Sequence, residues 1–278
     1  NSPTFNTTVP LAPGSITIVT LPVTARNWTA NLVANNAVHA FASDEFVAYT
    51  VNREPFTSDA ALGLPVDTMN TEYLVMDYKP LVGAQFNVFA GFDNTTVTIT
   101  PKTAMVGRPA GVPFTVVLQR GQGYFAKSAT GSPSNTLTGT IISADRPVGL
   151  TNGEGCTNVP VGTFACDHTY EVAQPVQSWG KSVLVSNLPN RPRGSIYRIL
   201  ASQDGTTVTQ DGVFLASLNR TQFFETPILP GNHIFAANKP IFVAQFMTGQ
   251  GSPGAVSGDP AMGNMIPTEQ YLRSYTFS

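Results

Sequence analysis

Residues 43–50 read SDEFVAYT, residues 144–151 ADRPVGLT and residues 237–246 ANKPIFVAQF. Each opens on a turn residue (Asp44, Asp145, Asn238) and runs on into a stretch of strand character. The turn residues are 101 and 93 residues apart. After each stretch comes a loop with an aspartate and then a proline: Asp59 and Pro65, Asp167 and Pro175, Asp259 and Pro267, separated by 6, 8 and 8 residues. His39 and His233 precede their turns at matching offsets, with Thr140 in the middle copy. A supersecondary unit that recurs at this period predicts a scaffold with a large regular surface in preference to a single grafted pocket.

Around these stretches the chain alternates strand and turn. Val97 and Ile99 share one face of residues 95–100, and Ile16 and Ile18 share one face of residues 15–20. Asp93-Asn94, Asp204-Gly205 and Asp211-Gly212 mark turns. No window keeps a 3.6-residue apolar period, and the only helical pieces expected are short ones after Asp59, Asp167 and Asp259, with each aspartate as cap. The expected fold is all-β: antiparallel sandwich or jelly-roll-like sheets from three degenerate repeats of about 95 residues. These are residues 1–80 (opening strand missing), 81–185 (with the cysteine pair) and 186–278, forming one continuous β architecture or two packed sandwiches.

In this register the first copy lacks its opening strand, and the third stops where the next strand would start. Open strand edges must be closed, covered or used. The terminal strands are expected either to seal the domain within the chain or to pair with the next molecule and build a filament. Ile16, Ile18, Tyr271, Leu272, Tyr275 and Phe277 are the candidate assembly residues.

Charged residues make up 12% of the chain, against about 25% in a typical soluble domain. With a net charge of −2, nothing draws nucleic acid or anionic lipid. No apolar run nears the roughly 18 residues that a membrane span needs. A surface solvated by hydroxyls and amides suits the extracellular space and resists self-association weakly. The first residue is Asn1, which fits a removed leader as well as simple trimming. Four sequons, at Asn6, Asn27, Asn94 and Asn219, are candidate glycan acceptors. Cys156 and Cys166 flank a nine-residue loop with Pro160 and Gly162, so the loop can fold back to form a disulfide. A disulfide implies an oxidising compartment, and two buried thiols are the alternative.

The blocks AGFDNTTVTI (90–99), TGTIISADRPVGLTNGEGCTNVP (138–160), ACDHTYEVAQPVQSWGKSVLV (165–185) and YRILASQDGTTV (197–208) follow one another in an order that resembles the N-terminal domain family of IgGFc-binding protein, found also in bacterial surface proteins. The likeness spans residues 43–277. Its most specific part is the cysteine pair followed by Asp167-His168 and then Ser178-Trp179-Gly180-Lys181. The resemblance implies an extracellular, non-enzymatic protein with an adhesive or binding role, and it carries over no ligand-contact residue.

No catalytic signature is present: there is no Gly-x-Ser-x-Gly, His-Glu-x-x-His, Walker or EF-hand pattern. His39 and His233 sit at equivalent repeat positions, which favours packing over chemistry. Asp167-His168 reads as a capped turn with a braced ring. Glycoside hydrolysis needs two carboxyls roughly 5 to 9 Å apart in a cleft, and Asp44, Glu45, Glu72, Asp77, Glu154, Glu171 and Glu225 show no pairing by sequence. Trp28 and Trp179 would serve a sugar platform only if exposed. The expectation is therefore a non-enzymatic structural or adhesive protein without cofactor or metal, self-assembling by strand exchange. A monomeric glycan- or glycoprotein-binding module is the alternative, and a carbohydrate-active enzyme a distant third.

Overall fold

The computed structural model describes residues 5–25, 29–255 and 257–274. Among them the only helical elements are three-residue 3₁₀ turns, and every strand pairing is antiparallel. A two-residue β1 (Val33–Ala34) is followed by a hairpin, β2 (Tyr49–Glu54) and β3 (Thr57–Leu62). The first large sheet then takes β4 (Asn70–Leu74), β5 (Ala84–Ala90), β6 (Thr95–Thr100), β7 (Phe114–Leu118), β8 (Gly123–Lys127), β9 (Ile141–Thr157) and β10 (Asp167–Val172). The second takes β11 (Gly180–Val185), β12 (Ser195–Ala201), β13 (Thr206–Gln210), β14 (Val213–Leu218), β15 (Phe223–Glu225), β16 (His233–Met247) and β17 (Ala261–Asn264).

The two sheets share one strand order. β8-β5-β9-β6-β7 in the first corresponds to β15-β12-β16-β13-β14 in the second, and β4 and β10 join β9 as β11 and β17 join β16. β9 and β16, at 17 and 15 residues, are long enough to take different partners at their two ends. The turn residues of the opening motif find their purpose here. Asp145 Oδ1 accepts the Thr96 N–H and Asn238 Oδ1 the Thr207 N–H, each at 2.8 Å. Asp93 and Asp204 accept the N–H groups of Arg120 and Arg220 in the same way, at 3.0 and 2.9 Å. Asp44 has no sheet beside it and takes the hydroxyl of Ser43 instead. In the first stretch the cycle yields only the β2–β3 hairpin, so a full sheet is built twice among the described residues.

Three apolar clusters hold this together. The first sheet curls, partly barrel-like, around Phe86, Val88, Val97, Ile99 and Leu150, so Val97 and Ile99 do share a buried face. The second encloses Tyr197, Ile199, Val208, Phe235 and Val243. Between the sheets, Leu74, Met76 and Tyr78 pack on Trp179, Ile196, Leu200, Phe242 and Phe246. β12 therefore has cores on both faces and is buried at all seven positions, where the half-covered β5 and β6 alternate.

Several expectations need correction. No helix follows the aspartates: Asp59 lies inside β3, Asp167 opens β10, and Asp259 precedes β17. The 3₁₀ turns begin after Pro65, Pro175 and Pro267, whose φ of −57°, −64° and −68° suits a helix entry, and none has a side-chain cap. Residues 15–20 form no strand, and Ile16 and Ile18 are 92% and 88% exposed. Alternation makes a strand only where an edge supplies hydrogen-bond partners, and the outer edge of β8 is taken by residues 31–34. Tyr271 and Leu272 follow a 3₁₀ turn without entering a strand. Among the described residues the two terminal segments do not pair. Tyr275 and Phe277 lie outside the described residues.

Candidate functional site

Residues 75–79, VMDYK, leave β4 and run between the two sheets without a strand partner, so their backbone must be satisfied by other means. Side chains supply most of it. Asn152 Oδ1 accepts the Met76 N–H at 3.3 Å, Thr138 Oγ1 that of Asp77 at 3.1 Å, and a Glu154 carboxyl oxygen that of Tyr78. The Thr157 hydroxyl donates to the Lys79 carbonyl. Arg198 Nη1, from the centre of β12, donates to the carbonyls of Asp77 (2.7 Å) and Tyr78 (3.1 Å).

Arg198 is 1% exposed. Its Nε and Nη2 hold Glu225 Oε2 at 3.0 and 2.9 Å, and the guanidinium stacks over Phe223 with 4.4 Å to the ring centre. Glu225 also meets Lys79. Asp77, fully buried, takes the backbone N–H groups of Leu137 and Thr138 and the hydroxyls of Thr136 and Thr138. Burial pushes its carboxyl up, opposed by Arg198. Glu154, also at 0% exposure, receives the Thr169 hydroxyl. Burial first and Asp77 second push it up to about 8.

A second polar face lies where the hairpin meets β10. Thr57 gives its hydroxyl to Asp167, and Asp59 Oδ2 accepts the Tyr170 N–H at 2.9 Å. His168 Nδ1 faces the Glu154 carbonyl at 2.9 Å, so that nitrogen carries the proton, and Nε2 accepts from the Asn52 amide at 3.3 Å. Burial lowers the His168 pKa, which disfavours the charged ring. Burial raises Asp59 to about 6 and Glu171 to about 7, and it raises Asp167 as well.

Cys156 and Cys166 form a disulfide, with Cα atoms 5.4 Å apart, that joins the end of β9 to the start of β10. The loop between them is packed at Val159 and tied to residues 249–251, yet it leaves Phe164 80% exposed. Phe56, at the tip of the β2–β3 turn, is 99% exposed. The Thr57–Asp167 bond lies one residue from Phe56 and three from Phe164, so both aromatic tips lie near that contact.

Elsewhere, Asn6, Asn94 and Asn219 are exposed, while Asn27 and Trp28 lie outside the described residues. Trp179 is buried, stacked 5.3 Å from Phe242, and is no sugar platform. His39 is exposed beside Phe41, and His233 is held by Asp211 at 2.7 Å. Glu72 pairs with Arg220. Arg198 was not legible as a site residue from spacing, although a lone charge inside the apolar run YRIL is the signal that marks it.

The protein-family model described as IgGFc binding protein matches residues 59–278. The chain belongs to that family. The human IgGFc-binding protein is 26% identical over 252 residues, which is 87% of this chain but only 4% of the relative's length. No solved structure matches. The family match takes in β3 from Asp59 onward and β4 to β17, with the disulfide, VMDYK and Arg198. Among the described residues no helix is long and apolar enough to cross a membrane.

A carboxyl whose pKa is higher folded than unfolded stabilises the fold while protonated. For Glu154 that stabilisation is complete below about 4.5 and is lost as pH rises to about 8. The urea midpoint of the wild type is expected to fall between pH 5 and 8, and that of Glu154→Gln to fall much less. Equal slopes for the two proteins would show that Glu154 does not titrate in this window.

Proposed function

We propose that this chain is a non-enzymatic extracellular binding module that takes a protein partner, glycoproteins included, on the surface carrying Phe56 and Phe164. The observation that carries the reading is the contrast between a sealed polar interior and these two exposed aromatics. Asp77 and Glu154, which interact electrostatically at the junction, have no access to solvent, and Glu72 and Glu225 are ion-paired. Acid–base work on a glycan needs a carboxyl that reaches it. Exposed aromatic side chains on braced loops are, by contrast, the usual anchors of protein recognition. The disulfide braces the Phe164 loop and the Thr57–Asp167 bond ties the Phe56 turn to β10, which lowers the ordering cost of binding. The disulfide favours an oxidising, extracellular setting. The human relative is, by its name, an IgG Fc-binding protein, which makes Fc a natural first probe.

The test is surface plasmon resonance of the chain over immobilised IgG Fc and mucin-type glycoprotein. Retention of the wild type on at least one of them is expected. Phe56→Ser with Phe164→Ser should weaken it by about tenfold or more, since each buried aromatic anchor carries on the order of 1 kcal/mol or above, with an unchanged melting temperature. No retention, or retention untouched by the double variant, would remove the reading.

Self-assembly is a second reading, favoured by the apolar residues Leu11, Ile16 and Ile18, which stand exposed without a strand partner in the N-terminal segment. Such a segment can add to an open edge of a second copy, and β7 and β14 are the outer strands of the two sheets. Sedimentation at rising concentration should then show growing species that deletion of residues 1–20 reduces. A single monomeric species at high concentration would rule this out.

A further inference from the structure

The β2–β3 hairpin is attached to the body in an unusual way. Of its residues only Ala61 is buried, and all six residues of β2 are exposed. Its ties to β10 are polar: Thr57 to Asp167, Asp59 to the Tyr170 N–H, Asn52 to His168, and Thr50 to the Tyr170 hydroxyl at 3.5 Å. An element held by an apolar face is indifferent to charge, whereas one held by carboxyl contacts is not.

The charges at this seam are unbalanced. Asp59 of β3 faces Asp167 and Glu171 of β10, and Asp259, ahead of β17, adds its charge to that on Asp167. Against these four carboxyls stand few cations. Burial disfavours the charged form of His168, and its ring is engaged with Asn52 and Glu154. Arg191 interacts electrostatically with Asp259, and its guanidinium also donates to the carbonyls of Thr248, Asn190 and Gly258. On the hairpin itself, Arg53 and Glu54 line a cleft together with Thr57 and Asp259, so one cation and one further carboxyl border the seam there. Among the described residues no group of three or more His, Cys, Asp or Glu side chains is arranged to hold a metal ion.

We propose that the β2–β3 hairpin is a proton-dependent latch, docked on β10 when the seam carboxyls are neutral and loosened when they ionise together. The chemistry is consistent in both directions. A protonated Asp59 still offers its carbonyl oxygen to the Tyr170 N–H, so acid keeps the tie while removing the repulsion. The elevated Asp59 and Glu171 values agree in sign: a docked pKa above the released one means that docking binds protons, so docking weakens as pH rises from about 4 to about 7. A rise of one unit in a docked pKa corresponds to a tenfold change in the docking equilibrium. Partial exposure of Asp59 limits the expected effect to an order of magnitude or somewhat more. The inference does not rest on the binding reading, because it concerns only whether the hairpin is docked. Its consequence for that reading is that the Phe56 turn would be presented rigidly in acid and loosely near neutrality.

Hydrogen exchange followed by mass spectrometry on the whole chain tests this directly, with no ligand present. After correction for intrinsic exchange, protection of peptides covering residues 49–62 should drop about tenfold or more between pH 5 and pH 7.5, with β5 and β12 unchanged. Asp59→Asn keeps the acceptor and removes the charge, so it should retain its pH 5 protection at pH 7.5. Glu171→Gln should reduce the drop, and it decides the matter if β5 and β12 show Asp59→Asn to be misfolded. Equal wild-type protection at both pH values overturns the latch, as does the same drop in both variants.

Discussion

Arg198 is the constraint on which the architecture turns. It sits in a strand with apolar cores on both faces, where a charged group costs several kcal/mol unless its donors are satisfied. Its donors meet two carbonyls of VMDYK and the Glu225 carboxylate, while an aromatic ring covers one face. The segment is in turn one that no strand completes, and its N–H groups rely on Asn152, Thr138 and Glu154. Each side of the junction therefore satisfies polar groups that the other cannot leave bare. Apolar burial between the sheets supplies affinity without direction; this polar mesh selects one register for the second sheet on the first.

From that junction the rest follows in order. Fixing VMDYK fixes Glu154 on β9, and through Glu154 the Thr169 hydroxyl and the His168 ring of β10. β10 is further bound to β9 by the disulfide. The hairpin then docks on β10 chiefly through polar groups, with Ala61 its one buried residue. The result is a gradient from a sealed centre to a lightly held rim, and the exposed aromatics lie on the rim. Elements that engage partners come from the less stable end of a fold by necessity, which agrees with the binding role proposed for the rim.

Local features were legible where their cause is local. The Val97 and Ile99 alternation, the short loop closed by Cys156 and Cys166, and the turn chemistry at Asp145 and Asn238 each depend on a few neighbouring residues. Pro65, Pro175 and Pro267 were visible as markers, although their work is to start 3₁₀ turns. Features set by distant partners were not legible. Ile16 and Ile18 carry the same alternation as Val97 and Ile99, and the difference is whether an edge lies beside them. Asp59 and Asp167 look alike by spacing, yet one is mid-strand and the other starts a strand, with Thr57 bonded between them. Asp77, Glu154 and Glu225 were visible as carboxyls, but the partner that joins two of them lies 121 residues beyond Asp77 in the chain.

The most direct test of the central claim is a double-mutant cycle between Arg198→Met and Asp77→Asn, read by urea unfolding at pH 7. If the guanidinium and the VMDYK segment satisfy one another, each single change should cost about 3 to 5 kcal/mol, because it strands a buried polar partner. The double variant should then cost less than the sum by about 2 kcal/mol or more. Additivity within about 0.5 kcal/mol would mean that Arg198 and the Asp77 carboxyl do not stabilise one another across the junction, and the account of the junction would be wrong.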